Sequence, residues 1–345
     1  LFHRFKFRLN KNKRQLAICF EEKMIRFIEV TLNQERIVEI HQAFSLENKL
    51  MNEAGHVDKE SWKRFLKETV KPYKIKAKQV HVVIPTSNVI VRQHVMPNLP
   101  EKELKQMIHY EIGNTIHLPF ELPVVDIVKI KTEGAIYKDD GEEGSQVVLV
   151  AAPGQMIYPI VEGLLDVGLE VKSVDIPATS LYRLFKTNYP ERKEEPMIIA
   201  EIMNHGVDLH IFDRGILWFT RHIQMDFTEE PSLIEGTINV KALLERIQSQ
   251  EYYQSFVLDL ANEMERAMNF FQYTLNNRDQ AINSCWIVSK HKLNENFYLY
   301  LQNRLEIEVN PLIYQPKSTK VMSVDLSGYD KGIGTLCREV TNRGN

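Results

Sequence analysis

Three histidines and two acids carry the clearest chemical potential in this sequence. His205, His210 and His222 fall close to Glu201 and Asp208 in a strand-like stretch. A metal ion needs several such ligands on one face. Asp208 and His210 share strand parity, so a cluster among these five residues is conceivable. The expectation is a solvated strand face with no metal. His109 and His117, across a helix end, read as decoration of a surface or groove. Cys19 is a candidate thiol nucleophile, but nothing nearby marks it as activated, and a small buried residue is expected. Cys19, Cys285 and Cys337 are scattered with no CxxC, which fits a reducing compartment and leaves a disulfide framework or zinc site unsupported. No Walker A, GxGxxG or GxSxG motif is present. No catalytic residue is assigned.

The elements that would position such groups can be read from pattern. The chain has 345 residues, which suggests two or three domains or one large split one. Lys plus Arg is 43 and Asp plus Glu is 46, so a wholly basic nucleic-acid coat is excluded and no nucleic-acid partner is expected. Hydrophobic residues at 43% and charged residues at 26% fit a globular protein. No apolar run approaches the length of a bilayer-spanning helix. Residues 1–14 carry Arg4, Lys6, Arg8, Lys11, Lys13 and Arg14 among three phenylalanines, with no acid. They read either as a frayed basic terminus or as a tether to an anionic membrane surface.

Residues 15–30 alternate as two strands around a turn at Glu21–Lys23, and 35–44 make a third. A helix over 58–72 starts at Asp58 as N-cap and shows Trp62, Phe65, Leu66 and Val70 at helical spacing. Residues 79–84 are a strand. A second stretch reads strand 89–96, helix 101–114, strands 124–131 and 146–152, helix 155–167 and strand 169–175. After a polar linker at Glu191–Glu195 come strands 197–203, 207–213 and 216–223, the last two joined by a tight turn at Arg214–Gly215. Residues 226–236 read as a loop, 240–275 as a helix with a break, 282–289 as a buried strand, 293–304 as a helix, 306–309 as a short strand, and 328–341 as a closing helix. The order β-β-β-α-β therefore occurs twice, at 15–84 and 197–289, as in the two RNase-H-like halves of the actin-like ATPase fold.

Several blocks carry a family resemblance. MPNLPEKEL (Met96–Leu104) and IHLPF (Ile116–Phe120), with VKSVDIPATSLYRLF (171–185), AEIMNHGVDLHIFDRGILWFTRHI (200–223), the run Leu299–Val309 and YDKGIGTLCR (329–338), resemble the type IV pilus assembly protein PilM family. That family is similar to the cell-division protein FtsA. The resemblance covers most of residues 15–340. It implies an α/β, actin-like ATPase fold with a small α+β insert. The expected division is a basic tail (1–14), a first core half (15–88), the insert (89–175), a return helix and linker (176–195), and a second core half (196–345) with a reduced outer subdomain. The last helix would return to the core.

The resemblance also locates nucleotide motifs, and there this sequence departs. Where the family has G-I-D-I-G-S-S-S, residues 17–24 place Cys19 at the acid and Glu21 at the phosphate-loop glycine. Where the family has D-I-G, residues 201–203 keep an acid as Glu201 but place Met203 at the glycine. Ser289, Lys290 and His291 stand at the glycines of the adenosine motif. Only glycine lets the backbone approach phosphate closely, and a carboxylate repels it. The expectation is a pseudo-ATPase that takes no cofactor, with ATP and Mg²⁺ disfavoured. The alternative is an ATP-binding ATPase of the same machine with a divergent site. A sugar or acetate kinase of this fold would need a catalytic acid and an intact adenosine motif, and neither is visible.

By the same resemblance, the protein would be a scaffold of a type IV pilus or competence-like machine, cytoplasmic and peripheral on the inner face of the cell membrane. It would hold the cytoplasmic N-terminal tail of a PilN-like inner-membrane protein in a groove. Leu99, Met107, Tyr110, Pro177 and Leu181 are the groove candidates by position, against the reading that they are plain core between subdomains. Self-association stays open.

Overall fold

Alternating or wholly apolar runs of five to twelve residues dominate the chain and build its sheets. The structure is a computed structural model. It describes residues 13–33, 36–50, 57–120, 122–130, 136–137, 141, 143–227, 240–275, 280–314, 320–321 and 325–337. The first part of the chain forms β1 (Lys13–Phe20), β2 (Met24–Asn33), β3 (Arg36–Glu47), α1 (Lys59–Tyr73), β4 (Gln79–Val83), β5 (Ile90–Pro97), α2 (Glu101–Glu111), β6 (Pro123–Lys129), β7 (Ile136–Tyr137), β8 (Glu143–Pro153) and α3 (Gly154–Asp166). There follow β9 (Glu170–Asp175), α4 (Pro177–Asn188), β10 (Met197–Ile202), β11 (Gly206–Asp213), β12 (Ile216–Gln224) and α5 (Val240–Phe270). The last elements are β13 (Ser284–Ser289), α6 (Glu295–Leu305), β14 (Glu308–Pro311), β15 (Lys320–Val321) and α7 (Asp330–Leu336). These elements group into two units, 1–85 with 155–188 and 314–345, and 86–154 with 189–313.

The first unit is built on a six-stranded sheet in the order β15-β3-β2-β1-β4-β9. Strand β1 is central. Leu16 to Phe20 are all buried, as expected for a strand covered on both faces. It pairs antiparallel with β2 and parallel with β4. Helix α1 starts where Asp58 accepts a hydrogen bond from Ser61 N at 2.8 Å. Its Trp62 is fully buried and donates from Nε1 to the Ile160 carbonyl of α3 at 3.0 Å. Gly163 lies against that indole, where a Cβ would overlap the ring. Helices α4 and α7 cross at close range, with Gly334 set against the carbonyl of Ser180 and no room for a Cβ between them. Asp175 ties the crossing together. It takes a bidentate pair from Arg183 at 2.6 and 3.1 Å and a hydrogen bond from Thr335 at 2.5 Å.

The second unit contains a five-stranded sheet, β12-β11-β10-β13-β14, and a smaller one, β5-β8-β6, with β7 also paired to β8. In the larger sheet, Ile198, Ala200, Ile202, Val207, Leu209 and Ile211 share a buried cluster with Phe256, Leu260 and Met264 of α5 and Leu301 of α6. The tight turn from β11 to β12 places Arg214 at φ 49° and Gly215 at φ 76°, the two left-handed positions that a two-residue hairpin of this twist requires. The small sheet packs Ile127, Val147 and Leu149 against Leu104 and Ile108 of α2.

Several sequence expectations are revised. The insert was expected over 89–175. Helix α3 and β9 belong instead with the first unit, because β9 adds to its sheet parallel to β4. The return to that unit therefore begins near residue 155. Strand β1 begins at Lys13, within the expected basic tail; residues 1–12 lie outside the described residues. So does most of the 226–236 loop. The helix expected over 240–275 with a break is α5 followed by a π-helical turn at Phe271–Leu275. Helix α7, expected to return to the core, packs on β1 and α4 in the first unit.

Candidate functional site

The turn between β1 and β2 holds a small charged network within the first unit. Asn48 and Met24 shape the turn: Asn48 Nδ2 donates to the Glu21 carbonyl at 2.7 Å, and Glu21 N donates to the Met24 carbonyl at 2.8 Å. The Glu21 carboxylate meets Arg26 Nε at 2.9 Å and Lys331 Nζ at 3.1 Å. The Lys331 side chain, from the start of α7, is only 4% exposed, and the carboxylate supports its charge there. Burial alone would push the Glu21 pKa up; Lys331 and Arg26 outweigh it and hold the carboxyl below its ordinary value. The Arg26 guanidinium also lies over the Tyr329 ring, 5.5 Å from its centroid. Beside Lys331, burial pushes the Asp330 carboxyl up to about 6. Cys19 is buried in β1, and Gly332 of α7 passes close to its sulfur. Burial raises the Cys285 thiol pKa, so that thiol is not poised as a nucleophile.

In the second unit, the hairpin from β10 to β11 is closed by Met203 N donating to the Gly206 carbonyl at 2.9 Å. Asn204 at its tip is bonded to the His291 ring at 2.8 Å. That ring stacks on Phe227 at 4.1 Å between centroids, and Phe227 N donates to the Asn204 carbonyl at 2.9 Å. Ser289 ends β13, and its Oγ accepts from His291 N at 3.0 Å. The Met203 turn and the residues after β13 are thus joined through side chains. His205 turns outward and pairs with Asp226 at 2.7 Å.

The histidine and acid cluster is not the solvated face expected from sequence. Glu201, Asp208 and His210 are all buried. Glu201 stands opposite Asp208 in the β10–β11 ladder, and His222 stands opposite Asp208 from β12. His222 Nδ1 lies 2.7 Å from Asp208 Oδ1, and His210 Nδ1 lies 2.7 Å from Thr220 Oγ1. Gly206 sits under the His222 ring, where a Cβ would collide with it. Burial alone would raise the Asp208 pKa, but the hydrogen bond from His222 and the nearness of His210 lower it overall.

The five groove candidates fall into two sets. Leu99 and Met107 are half-buried against the small-sheet core, and Tyr110 on α2 is 76% exposed. Pro177 and Leu181 are buried on α4. Sequence reasoning missed Lys331, Asn204 and Phe227 as partners of the turns. Lys331 lay within the quoted YDKGIGTLCR block, but no local pattern ties it to Glu21.

Both larger sheets run in one order: hairpin-linked strands three, two, one, then parallel strands four and five. A pair of such RNase-H-like sheets defines the actin-like ATPase fold, to which this chain conforms. The profile of the family "Type IV pilus assembly protein PilM" matches residues 18–312, and the chain belongs to that family. No curated protein sequence matches it. Among solved structures it is similar to a chain of a PilM-PilN type IV pilus biogenesis complex, with TM-score 0.70 and 16% identity over 96% of this chain and 99% of that one. It is more distantly similar to a Bacteroides thetaiotaomicron protein of actin-like ATPase fold, with TM-score 0.49 and 12% identity over 95% and 97%. A comparable likeness is to the cytoplasmic domain of EpsL, an inner-membrane component of the Vibrio cholerae type II secretion system, with TM-score 0.46 and 11% identity over 94% and 97%. No helix among the described residues is long and apolar enough to cross a membrane.

Proposed function

We propose that this protein is a nucleotide-independent scaffold of a type IV pilus or competence-like machine. It works on the cytoplasmic face of the inner membrane and holds the N-terminal tail of a PilN-like membrane protein. Membership of the PilM family supports the assembly role, and the likeness to a chain from a PilM-PilN complex supports the partner class.

The pseudo-ATPase part rests on the Glu21 carboxylate. It sits where the family resemblance puts a phosphate-loop glycine, and it already engages Arg26 and Lys331. A phosphate arriving there meets a fixed negative charge that already occupies the two nearby cations. The residues at this turn therefore do not fit ATP. The bonded Asn204–His291–Phe227 group at the second turn supports the same reading, since side chains stand where the family has open glycine turns. Tyr110, with Leu99 and Met107, is the accessible part of the proposed tail-binding surface.

Calorimetric titration tests both parts. The purified chain is titrated with Mg-ATP and, separately, with a synthetic peptide of the PilN-like tail. No heat with Mg-ATP and saturable binding of the peptide, weakened in Tyr110→Ala, are expected. Micromolar Mg-ATP binding would instead select the competing reading of an ATPase with a divergent site. Absence of peptide binding would overturn the adaptor role.

A further inference from the structure

Alternate residues of a strand share one face, and a residue directly opposite on the neighbouring antiparallel strand joins them there. Asp208 and His210 of β11 are such a pair, and Glu201 of β10 is the opposite residue. Among the described residues, these three bring one potential ligand atom each to within 4.8 Å of the others, and all three are buried. We propose that Glu201, Asp208 and His210 form a binding site for a divalent transition-metal ion, with Zn²⁺ as the preferred occupant.

The chemistry of the donor set fits. Two carboxylate oxygens and one imidazole nitrogen are a ligand combination that Zn²⁺ accepts, with a fourth position left for water. Two carboxylates buried side by side repel one another, and a dipositive ion with a neutral imidazole brings the set to zero net charge. The surroundings fit as well. A ligating histidine is usually oriented through its other ring nitrogen, and His210 has Nδ1 on Thr220 Oγ1 at 2.7 Å. A ligating carboxylate is usually held by a hydrogen bond, and Asp208 Oδ1 has His222 Nδ1 at 2.7 Å. His222 is in turn seated by Gly206, which leaves space for its ring. His222 and Thr220 are positioning residues in this site. His205 is not a member, since it pairs with Asp226 at the exposed hairpin tip.

The test uses the full chain, stripped with a chelator and then titrated with Zn²⁺, Mn²⁺ and Co²⁺ separately. Bound metal is quantified after gel filtration, and the Co²⁺ form is read by its visible absorption. The expected result is about one equivalent of tightly held Zn²⁺ with a raised melting temperature, because a ligand that binds only the folded state stabilises it. Binding is lost in His210→Ala. It is weakened by about 10- to 100-fold in His222→Gln, which keeps every proposed ligand and alters the bond that orients Asp208. His205→Ala binds as the parent does. A folded parent chain that takes up none of the three metals overturns the proposal: the cluster is then an ion-pair network of histidines and carboxylates. Loss of binding in His205→Ala with retention in His210→Ala also overturns it, because the metal then sits at the hairpin tip.

Discussion

Replacing Glu21 with glutamine removes one negative charge from between two buried cations. The Lys331 side chain is 4% exposed and that of Arg26 is 11% exposed, so neither recovers full hydration when the carboxylate goes. Breaking a buried ion pair by deleting one member costs about 3–5 kcal/mol. The lower figure applies, since Arg26 keeps its contact with the Tyr329 ring. A loss of about 3 kcal/mol in a body of this size lowers its melting temperature by about 6–12 °C. Differential scanning calorimetry of parent and Glu21→Gln at pH 7 measures it. The pH dependence has a fixed sign. The folded-state pKa of Glu21 is lowered, so its stabilisation is present above the unfolded value and disappears as pH falls through the folded one. The gap between parent and variant therefore closes on acidification below about pH 4. Adding Lys331→Met to Glu21→Gln restores part of the loss, because the buried ammonium that lost this carboxylate is gone, with a coupling of about 1 kcal/mol or more. A Glu21→Gln protein that melts within about 1–2 °C of the parent, or a gap unchanged by acid, refutes the view that the carboxylate holds this turn together.

Three further outcomes follow from single contacts. The Asp330 carboxyl, pushed up to about 6 by burial, binds its proton more tightly in the folded state, so parent stability declines as pH rises from about 4 through 6. Asp330→Asn removes that decline and gains about 1–3 kcal/mol at pH 7, checked by urea unfolding at several pH values; a less stable variant at pH 7 contradicts it. Gly334→Ala drives a Cβ into the Ser180 carbonyl, and since a backbone atom cannot rotate away, the α4–α7 crossing must open at a cost of at least about 2 kcal/mol, read as a lower melting temperature. Cys19 and Cys285 are buried, so a thiol reagent labels neither until denaturant is added; rapid labelling of either in the folded chain refutes their placement.

Much of the fold could be read because its signals are local. The β1–β2 turn at Glu21–Lys23, the Asp58 cap of α1 and the Arg214–Gly215 hairpin each depend on neighbours in sequence, and each lies where the pattern puts it. Strand β9 was found but assigned to the insert, because parallel pairing with β4 is a long-range choice that alternation does not encode. Strand parity put Asp208 and His210 on one face correctly. It could not say that this face is buried, since parity reports direction and not cover. The degenerate turn residues were visible in the sequence, whereas the cation that answers Glu21 was not, because Lys331 comes from the far end of the chain.

That separation has a consequence during synthesis. Glu21 emerges from the ribosome 310 residues before Lys331 (331 − 21). At about 5–20 residues per second, the carboxylate waits roughly 15–60 s for its buried partner. The central strand β1, which α7 covers, stays without that cover for the same interval. The first unit can therefore complete its core only after α7 has emerged, and until then its earliest strands depend on β2, β4 and any chaperone that shields them.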